Sequence, residues 1–294
     1  MQVSDPGRHL VTLSTLNGYR ANRSGVTFTF MNTGKLKDFL DSKVAEYNQP
    51  LFIKDDPISI PHLFTRKQDI EIAGFFAAIF AWGNRKSIIN SCRKLFDLMG
   101  NEPYHFILAL EEDNPEMMTP FMKFAHRTFN ASDLYTFFNF LKYHYSFRKE
   151  QTLETAFTRG MENGNFNIEK GLNGFYHYFF NDTIEFEKRT QKHIAAPFKG
   201  SACKRLNMFL RWMVRNDQQG VDFGIWRTIS PAALICPLDV HVARVSRHFG
   251  LLTEKRNGWS AAVDLTENLR KFDPDDPVKY DFALFALGSM EKHG

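Results

Sequence analysis

The sequence predicts an all-α protein whose helices form two packed lobes. Three observations carry this. From Lys35 onward, apolar residues recur at three- and four-residue intervals through most of the chain. Alternation of the strand kind is scarce. The chain has 294 residues, 43% of them hydrophobic, with 30 phenylalanines, which is enough to fill a sizeable core.

The elements follow in order. Residues 1–30 are polar, lack a helical period and hold Gly7, Gly18 and Gly25. They are expected to form a loose tail, or else Met31 is the natural start, which leaves 31–294 as one helical domain; a short ordered arm is the alternative. Leu36, Phe39, Leu40, Val44 and Tyr47 mark a first helix. Asp56, Pro57 and Pro61 mark a loop. Asp69 to Trp82 reads as a buried helix and Ser87 to Leu98 as the next, with Gly83, Asn84 and Arg85 between them. Further helices are expected at about 103–111, 117–127, 131–145, 150–162 and 168–180. The segment from Asp276 to Leu284 has a proline start, a capping aspartate and an apolar run. It reads as a closing helix with a structural role.

Composition excludes several classes. Cys92, Cys203 and Cys236 are the three cysteines, and none are paired at CxxC spacing. A disulfide scaffold, a four-cysteine zinc site and an iron–sulfur cluster are therefore not expected, and the expected compartment is a reducing cytoplasm. The longest apolar stretch, Ile72 to Trp82, is too short to span a bilayer. The net charge of +4 permits an anionic partner without requiring one, so the placement of charge must decide.

That placement is uneven. Lys188, Arg189, Lys192, Lys199, Lys204, Arg205, Arg211 and Arg215 fall in a stretch with no acidic residue. Gly200 and Ser201 precede a helix that Ser201 is expected to cap, leaving backbone N–H groups for a phosphate. Leu206, Phe209, Leu210 and Met213 form its apolar face. Lys204, Arg211 and Arg215 then share the opposite face. An amine in the first turn, beside a helix N-terminus and other cations, should have its charged form disfavoured, as a nucleophilic lysine requires. The plainer reading of Lys204 is an ordinary phosphate contact. Downstream, Cys236-Pro237-Leu238-Asp239 leads into another helix. Asp239 is placed to cap it, and Val242, Val245 and Phe249 form its buried side. His241, Arg244, Arg247 and His248 make the other side basic. An aspartate there stays ionised and stabilises a developing cation, or it is only a cap.

These residues resemble the helix-hairpin-helix DNA glycosylases. That superfamily has a hairpin of the form L-P-G-V-G-x-K entering a helix, followed downstream by V-D-x-H-V-x-R-V. Phe198-Lys199-Gly200-Ser201-Ala202-Cys203-Lys204 lies over the first pattern, with Lys204 at the lysine position. Leu238-Asp239-Val240-His241-Val242-Ala243-Arg244-Val245 matches the second closely, and Phe249-Gly250-Leu251 continues it. The resemblance is carried mainly by residues 198–252. Ala202 and Lys199 depart from the hairpin pattern, which is therefore degenerate. The long gap from Lys204 to Asp239, and the helix from Lys204 to Phe209, look more like the archaeal 8-oxoguanine DNA glycosylase branch. The chain is identified as a member of a bacterial family of uncharacterised function, distantly similar to these enzymes.

The resemblance implies a two-lobed glycosylase-like fold and duplex DNA with a damaged or abasic nucleotide as partner. No cofactor or metal is expected, and no iron–sulfur cysteines follow the motif, unlike the endonuclease III type. DNA is bent, and one nucleotide is extruded into a cleft between the lobes. Lys204 then attacks the deoxyribose C1′, and Asp239 supports the developing cation. The implied result is base excision and abasic-site lyase chemistry. Gly200, Ser201, Arg205, Arg211, Arg215, His241 and Arg244 are the implied DNA-binding residues, holding phosphates without reading sequence. Asn84 or Arg85 lies near the place where such enzymes keep a residue that fills the gap of the flipped base. One rival reading is a nucleic-acid-binding protein that kept the scaffold and lost the chemistry. Another is a helical module whose basic stripe meets an acidic protein.

Overall fold

A computed structural model of the protein describes residues 33–111, 114–159, 161 and 166–290. The expected tail at 1–30 lies outside the described residues. The described residues are predominantly α-helical, as the periodicity predicts.

Helix α1 (Thr33–Tyr47) buries Leu36, Leu40 and Val44 at the expected spacing. Three short 3₁₀ turns, each opened by a proline, carry the chain through Pro50–Asp55, Pro57–Ser59 and Pro61–Leu63. Helix α2 (Lys67–Phe80) is buried on every side from Asp69 to Phe80, which explains its unbroken apolar run. Asn84 caps α3 (Arg85–Leu98) through Ser87 N, and α4 (Pro103–Ala109) follows. The sequence predicts helix over 117–127, and the structure corrects this. Residues Pro115–Phe121 form a 3₁₀ turn containing Pro120, and a short hairpin of β1 (Ala125–His126) and β2 (Phe129–Asn130) follows. Pro120 removes a helix donor, and Arg127 adopts the left-handed conformation that turns the hairpin.

Helix α5 (Ala131–Lys142) opens with a capping box between Asn130 and Asp133 and runs into a π-helical turn over Tyr143–Phe147. The helix expected at 150–162 shrinks to α6 (Glu154–Thr158), and part of that span lies outside the described residues. Helices α7 (Ile168–Phe179), α8 (Lys204–Val214), α9 (Val240–His248), α10 (Trp259–Arg270) and α11 (Asp281–Met290) complete the chain.

Contacts sort the helices into two groups. Helix α11 packs on α1 and α9, while α2 packs on α3, α4 and α8. Phenylalanines of α5, α6 and α7 pack around α2 in the second group. Phe157 stacks on Phe175 with centroids 4.1 Å apart, and Phe76 meets Phe138 edge to face at 6.0 Å. Within this core, Glu71 is fully buried and accepts hydrogen bonds from Tyr145 Oη, Leu153 N, Trp226 Nε1 and Thr152 Oγ1. Between α9 and α11 the approach is close. A Cβ on Gly288 would lie 2.9 Å from His241 Cβ and 3.0 Å from its carbonyl oxygen, so glycine is required there.

The polar face of α8 overturns an expectation. Arg211 and Arg215 were expected on an exposed stripe, but they are 4% and 2% exposed. Arg215 Nε donates to Asp276 Oδ2 at 2.8 Å, its Nη1 to Asp222 Oδ2 at 3.0 Å, and its Nη2 pairs with Asp217 at 2.7 Å. Arg211 donates to Asp281 and pairs with Asp222 at 3.3 Å. The two guanidinium groups also sit 4.3 and 5.4 Å from the centroid of the Phe282 ring. Carboxylates distant in sequence cover a face that looks solvent-directed from α8 alone.

Removing one member of such a network strands buried charge, at a typical cost of about 3–5 kcal/mol. Arg215→Ala should lower stability by that order in urea unfolding. A loss below about 1 kcal/mol would show that the carboxylates do not depend on it.

Candidate functional site

Helix α8 begins at Lys204. Its N-cap residue is Cys203, held at φ 50° in the left-handed region, and not Ser201 as the sequence suggests. The Ser201 hydroxyl instead accepts from Cys203 N at 3.1 Å, and Ser201 pairs with Gly258 in an isolated bridge. The turn before it, Pro197–Lys199, closes on Gly200 at φ 74°. This conformation fixes the entry to α8 and leaves Lys204 in its first turn. Asp239 does cap α9, with Oδ1 accepting from His241 N at 2.8 Å and from Val242 N at 2.9 Å.

Lys204 and Asp239 line one cavity of about 590 Å³, the size of a small-molecule site. Lys204 is half-buried, and its amine makes no hydrogen bond or salt bridge among the described residues. The second carboxylate oxygen of Asp239 is likewise uncommitted there. Two further carboxyls join them, and the sequence reading missed both as site residues. Asp56 N-caps the 3₁₀ turn at Pro57 through Ile58 N at 3.1 Å, and Asp281 opens α11. Both are buried. Burial pushes the Asp56 carboxyl above its ordinary range against the pull of Ile58 N–H, Arg85, Arg211 and Lys204. Burial likewise raises Asp281 to about 6, with Asp239 adding to the rise and Arg211 and Lys204 opposing it. Asp281 reads from sequence only as a helix start; nothing local shows that it turns toward Lys204.

Aromatic and aliphatic side chains complete the walls: Phe52, Trp82, Met208, Phe282 and Phe285. Arg85 lies at the rim, its guanidinium 5.0 Å from the centroid of the Phe285 ring. The α2–α3 turn therefore reaches this cavity through Trp82, Gly83 and Arg85, while Asn84 serves as the cap of α3.

The remaining sequence candidates scatter. His241 is half-buried and lines the cavity. Arg205 also lines it, but its guanidinium donates inward, to Ile79 O at 2.6 Å and His193 O at 3.1 Å. Burial lowers its pKa to about 10. Arg205, Arg211 and Arg215 are thus spent on the fold, because each finds an internal acceptor. Arg244 is exposed and donates to Gly288 O at 2.9 Å. Gly200 and Ser201 stay at the surface end of α8, and Gly200 O accepts from Trp259 N. The three thiols are free and buried. No helix among the described residues is long and apolar enough to cross a membrane.

Residues 56–290 match the model of a family described as a protein of unknown function, DUF2400. The chain belongs to that family. The matched span includes every wall of the cavity except Phe52. No curated protein and no solved structure matches the chain.

The chemistry of the cavity has a pH signature. A carboxyl raised to about 6 in the folded state contributes stability that is present at low pH and lost as pH rises from its ordinary value through 6. Asp281→Asn removes that contribution. The melting temperature of wild type relative to Asp281→Asn should therefore fall between pH 4 and pH 7, by the equivalent of about 3 kcal/mol or less. A difference that grows with pH would show that Asp281 is held ionised instead.

Proposed function

We propose that the protein is a DNA glycosylase and abasic-site lyase that works through an imine on Lys204. The observation that carries this reading is the meeting of an amine without a salt bridge and a half-committed carboxylate, Lys204 and Asp239, in one cavity. The match of the Asp239 segment and of Lys204 to the helix-hairpin-helix glycosylases supports it.

In this reading one nucleotide enters the cavity. For an opened abasic sugar, the Lys204 amine, once it has given up its proton, adds to the C1′ aldehyde, and the carbinolamine loses water to give an imine. Loss of a C2′ proton then expels the 3′-phosphate and cuts the strand. With a base still attached, the same amine displaces it at C1′, and the free oxygen of Asp239 stabilises the cation that develops there. The aromatic walls suit a planar base, and Arg85 at the rim suits a phosphate. We assign this activity to a reducing cytoplasm, which suits three buried free thiols.

Borohydride reduction tests the reading. Wild-type protein mixed with an abasic or oxidised-purine duplex should become covalently trapped, while Lys204→Gln folds, binds and gives no adduct. Asp239→Asn should keep its cap and its stability, because Asn caps about as well as Asp. It should release base at least tenfold more slowly. A wild type that binds these duplexes but traps on none is the catalytically silent binder.

A further inference from the structure

With Arg211 and Arg215 buried, the expected phosphate-holding stripe is absent from α8. Among the described residues, cations without salt-bridge partners lie elsewhere: Arg85 on the cavity rim, and others on the surface beside it. Arg85 and Lys86 open α3, and Lys94 lies two turns further along it. Lys86, Asn90 and Lys94 recur at four-residue intervals and share one face. They border a polar groove of about 430 Å³, completed by Asn84, Ser87 and Ser91 and lined by no carboxylate. The single acidic residue of α3, Asp97, lies beyond Lys94 towards the far end of the helix, outside this groove. Arg127, at the tip of the β1–β2 hairpin, extends the same edge. Its guanidinium lies 4.3 Å from the centroid of the Trp82 ring. Arg85, Lys86, Lys94 and Arg127 are all exposed, and none forms a salt bridge among the described residues.

The surface is held in place from beneath. Buried His126 is hydrogen-bonded through Nδ1 to Ser91 on α3 at 2.9 Å and through Nε2 to Phe80 O at the end of α2 at 3.0 Å. One imidazole thus ties the hairpin to both helices. Gly83 has φ +111°, and a Cβ there would lie 2.5 Å from the Arg127 guanidinium. The left-handed backbone favours glycine there, and its missing side chain leaves room for the Arg127 guanidinium. The turn at residues 82–86 belongs to both features: Trp82, Gly83 and Arg85 line the Lys204 cavity, while Asn84 and Lys86 line the groove.

We infer that the groove on α3, with the Arg127 hairpin beside it, is the phosphate-docking surface for duplex DNA whose extruded nucleotide occupies the Lys204 cavity. The duplex itself is too wide for the cavity, so its backbone must rest on the rim. Beside that rim the groove offers exposed cations, amide and hydroxyl donors and no carboxylate, as a polyanion requires. The inference rests on the proposed function for its choice of DNA, but it makes a prediction about binding that needs no turnover.

The test uses the full chain and a duplex carrying a stable tetrahydrofuran abasic analogue. Lys86→Gln/Lys94→Gln removes two phosphate contacts, so the slope of log affinity against log salt should fall by about 1.8. Lys35→Gln/Lys170→Gln changes two exposed lysines on α1 and α7 and should leave the slope unchanged. Both variants should melt with wild type. An unchanged slope in the first variant, an equal fall in the control, or no duplex binding by wild type at 50 mM salt would each overturn the surface. Borohydride trapping on a true abasic duplex is scored separately. A slope that falls as expected without any trapped adduct leaves the surface standing and removes the enzymatic reading.

Discussion

Arg211 and Arg215 have to be charged and have to be inside. They sit one turn apart on α8, and Asp217, Asp222, Asp276 and Asp281 surround them. Water cannot solvate these charges, so each depends on the others. The partners come from the loop after α8, from the start of the last 3₁₀ turn and from α11. The network therefore decides where α11 lies against α8. Gly288 then lets α11 close on α9, which carries Asp239 at its start.

The cavity follows from that arrangement. Lys204 stands about two turns before Arg211 on the same face of α8. Arg211 takes up Asp281, and the cap of α9 takes up one oxygen of Asp239. The Lys204 amine is left among carboxyls with no salt bridge of its own. Among the described residues no fixed partner holds that amine, so it faces the cavity uncommitted. The same accounting separates the cations of the fold from those of the surface. Arg205, Arg211 and Arg215 find internal acceptors, while Arg85, Lys86, Lys94 and Arg127 find none among the described residues.

Much of this was legible in the sequence, for identifiable reasons. Helix α2 announces itself because it is apolar all round, and α1 and α9 because one face is. Asp239 was readable as a cap because capping is local. Ser201 was misread because the left-handed Cys203 moves the cap by two residues, and Cys gives no sign of that conformation. The stripe on α8 was misread for a different reason. Periodicity places Arg211 and Arg215 on the polar face, but it cannot say what covers that face, and Asp276 and Asp281 arrive from 61 and 70 positions away. Asp56 and Asp281 were missed as site residues on the same ground. The helix expected at 117–127 fails because Pro120 and the turn at Arg127 break it.

The central claim is that the amine of Lys204 is the group that meets the substrate. Peptide mass mapping of the borohydride-reduced complex with an abasic duplex tests it most directly, because it names the atom rather than inferring it from loss of activity. The mass of the reduced sugar remnant should appear on the peptide that contains Lys204, with a missed tryptic cleavage at that residue. A remnant on Lys199 or Lys192, or on no lysine lining the cavity, would contradict the account.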